Sequence, residues 1–466
     1  MTNLYKNSIT VAGTVLLFLL TGLLPYQQQS QHRFTAEAGE GACIDFDETG
    51  NTITVNCNSS FLDVVQTVND PAVIENQGNG EYLLKANLEV DDDVTFQMTS
   101  SNDDGSGGNS GLQYLKIVGA NGIIVYGRIE ISNVKITSWD TQANSPILQT
   151  ITGSVPRAFI NLRGSEGGFV HDSEIAYLGY QEFGRRGFDL FGDGYSYDLE
   201  IRGSRFHDMW FAFYSRGAYN IVVDGNEYYD NIKYSLDPHS GTHDMKITNN
   251  YFHDNPLGPI CSDRCSDILI EGNLIQDTTN AAIFFSRNMH DSIARNNHVV
   301  NAGIGIAVSE SPNNQIYNNI IEGASFQGIR LVNPEIPDDG VTEGNVVYDN
   351  TISNSQDGIG ATRSQDNALE NNEFSDIESS EYSLSGGSSI MIRGQHFDNA
   401  IISGGGGSTL GNLVEIVNSG TIEVTEGVSD SDDGNEDEDE GELYNTDIEP
   451  YRRTLSDGDD ITVNSS

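Results

Sequence analysis

The densest chemistry in the chain is one short stretch, Tyr234-Ser-Leu-Asp237-Pro-His239, with His243 four residues further on. A phenol, a carboxyl and an imidazole so close together can supply a proton donor, a hydrogen-bonding carboxyl and a proton acceptor. Of the three, only imidazole titrates near neutral pH without help. Alternation along a strand puts Tyr234 and Leu236 in the opposite phase from Ser235 and Asp237. A kink at Pro238 is expected to end the strand, letting the side chains of Tyr234, Asp237 and His239 converge at the turn.

Other charged residues recur in step with this stretch. Counted from the repeat described next, one column is expected to read Arg216, His239, Asp263, Arg287, flanked by Lys233, Arg202 and Arg264. In a protein short of positive charge, such a stripe could hold an anionic polymer. The plainer alternative is a row of ordinary solvated side chains. Taken singly, His243, His253, His290 and His298 read first as ordinary solvated residues.

The elements that must position these groups are visible as a repeat. The blocks IRGSRFHD, VDGNEYYD, ITNNYFHD, IEGNLIQD, ARNNHVVN, IYNNIIEG, VYDNTISN and LENNEFSD share one register. Their aligned polar residues are Ser204, Asn226, Asn250, Asn273, Asn297, Asn319, Asn350 and Asn372, at steps of 22, 24, 23, 24, 22, 31 and 22. Each unit has room for three short strands, including Ala212–Ser215, Pro259–Ser262, Ile283–Ser286, Ile304–Ser309 and Ile329–Val332. A strand-rich period of this length describes a parallel β-helix, here of roughly a dozen coils. Equivalent positions then stack about 4.8 Å apart, so the Asn column is expected to form an amide ladder. Weaker matches at Asn133 and Ser173 extend the solenoid upstream. The long step before Asn350 is expected to be a protruding loop.

Composition sets the surroundings. The 466 residues include 69 acidic and 23 basic side chains, for a formal net charge of -46. That excludes a reader of duplex nucleic acid, which needs a basic footprint, and suits salty surroundings that screen self-repulsion. Hydrophobic residues at 37% supply a core, and 50 glycines against 11 prolines favour short strands and tight turns in an all-β fold. The apolar run from Ile9 to Leu24 suits a secretory signal, with Ala36-Glu37-Ala38 as a cleavage site, or a retained anchor. Export to the cell surface or beyond is expected, as a monomer with no other membrane contact. The four cysteines favour two short-range disulfides, Cys43–Cys57 and Cys261–Cys265, with reduced buried thiols as the alternative. Neither pair has zinc-site spacing, and no metal site is expected there. The expected layout is a signal or anchor over 1–38, a cap over 39–110, the β-helix over 111–403, terminal strands over 404–428, including Leu413–Val417 and Ile422–Thr425, and an acidic disordered tail over 429–466. Calcium capture by the acidic run in that tail stays open.

With these residues in place, the chain resembles the mannuronan (alginate) C5-epimerases, right-handed parallel β-helices with a catalytic Tyr-x-x-Asp-Pro-His motif. The match runs over approximately residues 165 to 300. It includes Ala176-Tyr-Leu-Gly-Tyr180, His243, His253-Asp-Asn255 with Leu257, and Asp263, where family members carry another active-site acid. The resemblance implies conversion of mannuronate to guluronate within a polyuronate by removal and return of the C5 proton. His239, Tyr234, Asp237, Asp263 and Arg264 would be catalytic, His239 as the base and Tyr234 as the acid from the other face with the two roles exchangeable, and Arg216, Lys233, Arg287 and His243 would bind substrate. Arg264 is the preferred cation for the substrate carboxylate, with Arg287, or a protonated Asp237 or Asp263, as alternatives. A Cys261–Cys265 bridge would brace the loop bearing Asp263 and Arg264. The family often has a basic pair where this chain has Asn280-Ala281. The calcium-binding nonapeptide modules of many secreted epimerases are absent, so calcium dependence is not implied. A polysaccharide lyase shares the first chemical step, and a non-catalytic glycan-binding solenoid shares the fold.

Overall fold

The corner residues explain the architecture. In a computed structural model of the chain, the residue before each member of the Asn column is left-handed: Gly203, Gly225, Asn249, Gly272, Asn296, Asn318, Asp349 and Asn371 have φ between 50 and 67°. Glycine, asparagine and aspartate reach that conformation at least cost, so the Gly-Asn and Asn-Asn pairs of the repeat bend the strand at a fixed place in every turn. The column itself is buried and hydrogen-bonded from coil to coil. Asn250 donates through Nδ2 to Asn273 Oδ1 at 3.0 Å and to Val223 O at 3.0 Å, and its backbone N–H donates to Asn273 Oδ1 at 2.9 Å. The pattern runs from Ser204 to Asn372. Shorter ladders link Asn231 to Asn255 and Ser292 to Asn314, Asn345 and Asn367, and the repeat had not called attention to these.

The structure describes residues 42–100, 111–163, 166–191, 196–334, 340–385 and 388–393, and the strands at 400–405, 412–416, 420–426, 451–455 and 460–463. Strands stack in parallel register on three faces. The first face, a 15-stranded sheet, includes Ser196–Arg202, Tyr219–Asp224, His243–Thr248 and Ser266–Glu271. The second includes Arg205–His207, Glu227–Tyr229 and Tyr251–His253. The third includes Phe159–Leu162, Gly187–Phe191, Phe211–Arg216, Asp237–His239 and Ile260–Ser262. Leu274–Ser286 and His298–Ser309 run unbroken from second face to third, which joins those faces into one 28-stranded sheet. Inside, like sits on like: Phe206, Tyr228, Phe252, Ile275, Val299, Ile321 and Ile352 are consecutive partners and fully buried. The Tyr228 and Phe252 rings stack at 4.9 Å, the spacing of the coils.

Two features differ from the reading of the sequence. The solenoid starts earlier than residue 111, because Glu81–Leu84, Asn87–Val90 and Thr95–Thr99 already pair in parallel with the strands of the next coil. Their corners lack the Asn signature, which hides them from a search for the repeat. Ahead of them, an antiparallel hairpin of Ile44–Asp47 and Thr52–Val55, the Cys43–Cys57 disulfide and the helix Phe61–Val68 cover the end of the stack. At the other end, Asn412–Ile416 and Gly420–Glu426 are strands, and Asp460–Val463 and Tyr451–Leu455 pair antiparallel with them, so the expected tail is not without structure throughout. The acidic run at 429–442 and the apolar run from Ile9 to Leu24 lie outside the described residues. Among the described residues no helix is long and apolar enough to cross a membrane.

Candidate active site

The third face carries the candidate chemistry, and parallel register sets its spacing. Asp189 pairs with Tyr214 and Tyr214 with Asp237, one step per coil. Arg216 pairs with His239 and His239 with Ser262. The expected column is therefore corrected past His239: Asp263 and Arg287 lie one residue beyond it, in a corner layer with Ser240 and Glu310. All four residues of that layer are left-handed, with φ between 47 and 67°. Pro238 also departs from expectation, lying inside the strand Asp237–His239 and pairing with Ser215.

The strand holds its motif residues in a dry setting. Asp237 is only 4% exposed and its Oδ1 has no hydrogen-bond partner, and Asp189 Oδ1 is likewise orphaned. Burial pushes both carboxyls up to about 7, against the opposing pull of the Arg186 charge. Burial raises the phenols of Tyr234 and Tyr214 to about 12. Burial, opposed by Asp263 and reinforced by Arg186, Arg287 and Arg216, lowers His239 to about 4, so the ring is neutral at neutral pH. The His239 ring lies 5.7 Å from that of Tyr214, and the Tyr234 ring meets Phe211 edge-on at 4.7 Å. His239 Nδ1 is 2.6 Å from Ser240 Oγ, which donates to Asp263 Oδ2 at 2.7 Å. Burial opposes ionisation of Asp263, but the Ser240 hydrogen bond and the Arg264 and His239 charges outweigh it and lower its pKa.

The cations divide into two groups. Arg264 is 60% exposed in its side chain and engaged by Asp263 at 2.8 Å, and Arg202 is paired with Asp224 on the first face. Arg186, Arg216, Lys233 and Arg287 make no ion pair among the described residues, yet their charges act on Asp237, His239 or Tyr234. Lys233 Nζ is 5.1 Å from the Tyr234 ring centre, and Arg186 lies 4.2 Å over Tyr214. His243 sits apart on the first face, stacked on Tyr219 and bonded to Asp244 at 2.7 Å.

Arg186, Asp189 and Tyr214 were missed in the sequence. Two signals point to them: an Arg-Arg pair in a cation-poor chain, and a lone carboxyl inside the apolar strand Gly187–Phe191. The segment leading to Arg186 is pinned by Arg157, a fully buried guanidinium that donates to Gly179 O, Leu178 O and Asp208 O at 2.7 to 2.9 Å. Gly179 has φ +85° and passes so close to Arg186 O that a Cβ would stand 1.8 Å from it.

Cys261 and Cys265, expected as a bridge, are free thiols. Both are fully buried, and Cys265 donates to Ser262 O at 3.3 Å. The corner that carries Asp263 is held instead by backbone hydrogen bonds to Arg287 O and Ser286 O. Among the described residues no cluster of His, Cys, Asp or Glu could hold a metal ion.

A family model described as the right handed beta helix region matches residues 186–334, and the observed parallel stacking of three faces agrees with it. The fold is a right-handed parallel β-helix. This β-helix is 27% identical over 224 residues to a mannuronan C5-epimerase of Pseudomonas putida, covering 44% of this chain and 42% of that protein. It is also 27% identical over 221 residues to the mannuronan C5-epimerase AlgG of Azotobacter vinelandii, with 44% and 42% covered. The chain thus spans less than half the length of these curated relatives. The crystal structure of the periplasmic alginate epimerase AlgG superposes with a TM-score of 0.56 at 18% identity, over 81% of this chain and 84% of that one, a likeness of fold.

Proposed function

We propose that this β-helix is a C5-epimerase of a polyuronate, with polymannuronate the first substrate to test. One observation carries the reading: in a protein of net charge -46, four cations without ion-pair partners surround a neutral histidine and a buried carboxyl. That is a site for a chain of carboxylates, and the named relatives support the choice of polymer.

The reaction removes a proton from C5, next to a carboxylate whose negative charge resists a second one. Arg186 can neutralise that carboxylate, and a protonated Asp237 can donate a hydrogen bond to it through the carboxyl that has an orphaned oxygen. The structure thus favours Arg186 over the exposed and already paired Arg264. Neutral His239 takes the C5 proton. Tyr234, which holds its proton below about 12, delivers it to the opposite face of C5. The imidazolium and phenolate left behind exchange protons with solvent, with Lys233 and Arg287 offsetting the phenolate charge. Arg216 and Lys233 contact neighbouring uronates. Such a polymer lies outside the cytoplasm, and the apolar run from Ile9 to Leu24 would direct the chain there.

Proton NMR of polymannuronate incubated with the protein in D2O at high salt tests this. Guluronate deuterated at C5, without chain cleavage, is expected. Unsaturated chain ends would assign β-elimination instead, and an unchanged polymer would remove the epimerase reading for this substrate.

A further inference from the structure

We propose that Ser240 is a positioning residue that sets the tautomer of His239, leaving Nε2 as the proton-accepting nitrogen. The inference rests on the reading of His239 as the base.

Asp263 and His239 are too far apart to do this directly, since Asp263 Oδ2 lies 3.7 Å from His239 Nδ1, beyond a hydrogen bond. The Ser240 hydroxyl fills the gap, 2.6 Å from Nδ1 and 2.7 Å from Oδ2. A hydroxyl has one proton to give, and an ionised carboxylate can only accept. Asp263 is held ionised by Ser240 on one oxygen and on the other by Arg264, whose Nη2 and Nε donate to Oδ1 at 2.8 and 3.0 Å. The Ser240 proton therefore belongs to Asp263, and a serine lone pair faces the ring. The short contact to Nδ1 is then a hydrogen bond only if Nδ1 carries the hydrogen, which leaves the lone pair of neutral His239 on Nε2. Ser240 is left-handed, with φ +47°, a conformation glycine adopts at least cost, so glycine can replace it without backbone strain.

The relay predicts distinct responses from its two ends. In Ser240→Gly the hydroxyl is gone and the backbone strain is relieved, so folding is kept while Nδ1 loses its acceptor. In Asp263→Ala the serine proton is released and can turn to Nδ1, which drives the ring to the Nε2–H form.

The test is long-range 1H–15N correlation of the full chain labelled at histidine, near pH 7 and without substrate. Comparison with His239→Gln assigns the signal among the nine histidines. The wild-type protein is expected as the Nδ1–H tautomer, Ser240→Gly as a mixture, and Asp263→Ala as Nε2–H. The Ser240→Gly enzyme should lose kcat by roughly 2- to 10-fold at unchanged KM, in proportion to the fraction of rings that leave the Nδ1–H form. A wild-type Nε2–H tautomer, or an Nδ1–H tautomer that survives in Ser240→Gly, overturns the proposal. Because the tautomer is read without turnover, a protein that shows the expected tautomers but epimerises no uronate would overturn the functional reading and leave the relay standing.

Discussion

Asp189→Asn should stabilise the protein at neutral and alkaline pH but not in acid. Asp189 is fully buried, and its carboxyl rises from 3.8 to about 7, mainly through loss of hydration. Because the folded value is raised, the folded protein keeps a proton that the unfolded chain has already released between those two pH values. The stability tied to that proton is complete below about 3.8 and is lost as the pH climbs to about 7. Roughly three units, at about 1.4 kcal/mol each, amount to about 4 kcal/mol. Asparagine can still accept the Arg186 backbone N–H that Oδ2 accepts at 2.8 Å, but it never ionises. The two proteins should therefore differ by a small constant near pH 4, and the variant should gain up to about 4 kcal/mol by pH 8. Urea denaturation of both proteins across that range measures the difference, and contributions from other titrating groups cancel in it. A difference that stays flat from pH 4 to pH 8 would refute the raised carboxyl and the protonation argument built on it.

Activity should be bounded in the same way. His239 accepts a proton only above about 4, and Asp237 holds its own below about 7, so kcat/KM should plateau between them and Asp237→Asn should lose the alkaline limb. Arg186→Gln removes the cation over the carboxylate site and should lower kcat/KM on the order of 10² to 10³-fold while the protein stays folded, checked by NMR turnover and circular dichroism. Asn273→Ala leaves the Asn250 backbone N–H and Ile247 O without their ladder partner in a buried corner. It should cost about 2 to 4 kcal/mol in a denaturation experiment, and an effect below about 0.5 kcal/mol would remove the ladder's structural role. Reductant should leave turnover unchanged, because Cys261 and Cys265 are already thiols and the Cys43–Cys57 disulfide lies in the N-terminal cap.

The coil repeat and the reactive triad were legible because each is a local pattern. A left-handed Gly or Asn followed by a ladder Asn marks a corner, and Tyr234, Asp237 and His239 lie within one strand and its approach. What was not legible depends on neighbours that are remote in sequence. Arg186 and Asp189 reach the site from two coils upstream. The displacement of Asp263 from the His239 column comes from one more residue between Tyr229 and Leu236 than between their partners His253 and Pro259, which a uniform count along the period cannot locate. The two core cysteines lie four residues apart, yet that spacing says nothing about which way their side chains point.

By itself, then, the sequence determined a stack of short parallel strands, an internal amide ladder, and one coil that presents a phenol, a carboxyl and an imidazole where its neighbours continue an apolar strand. Only the tertiary structure decided the protonation states of those groups and which cations remain for a ligand. Hydration and charge act through space: burial pushes the Asp237 carboxyl up to about 7 and, with the Arg186, Arg287 and Arg216 charges, keeps His239 neutral, and ion pairs with Asp224 and Asp263 remove Arg202 and Arg264 from the set.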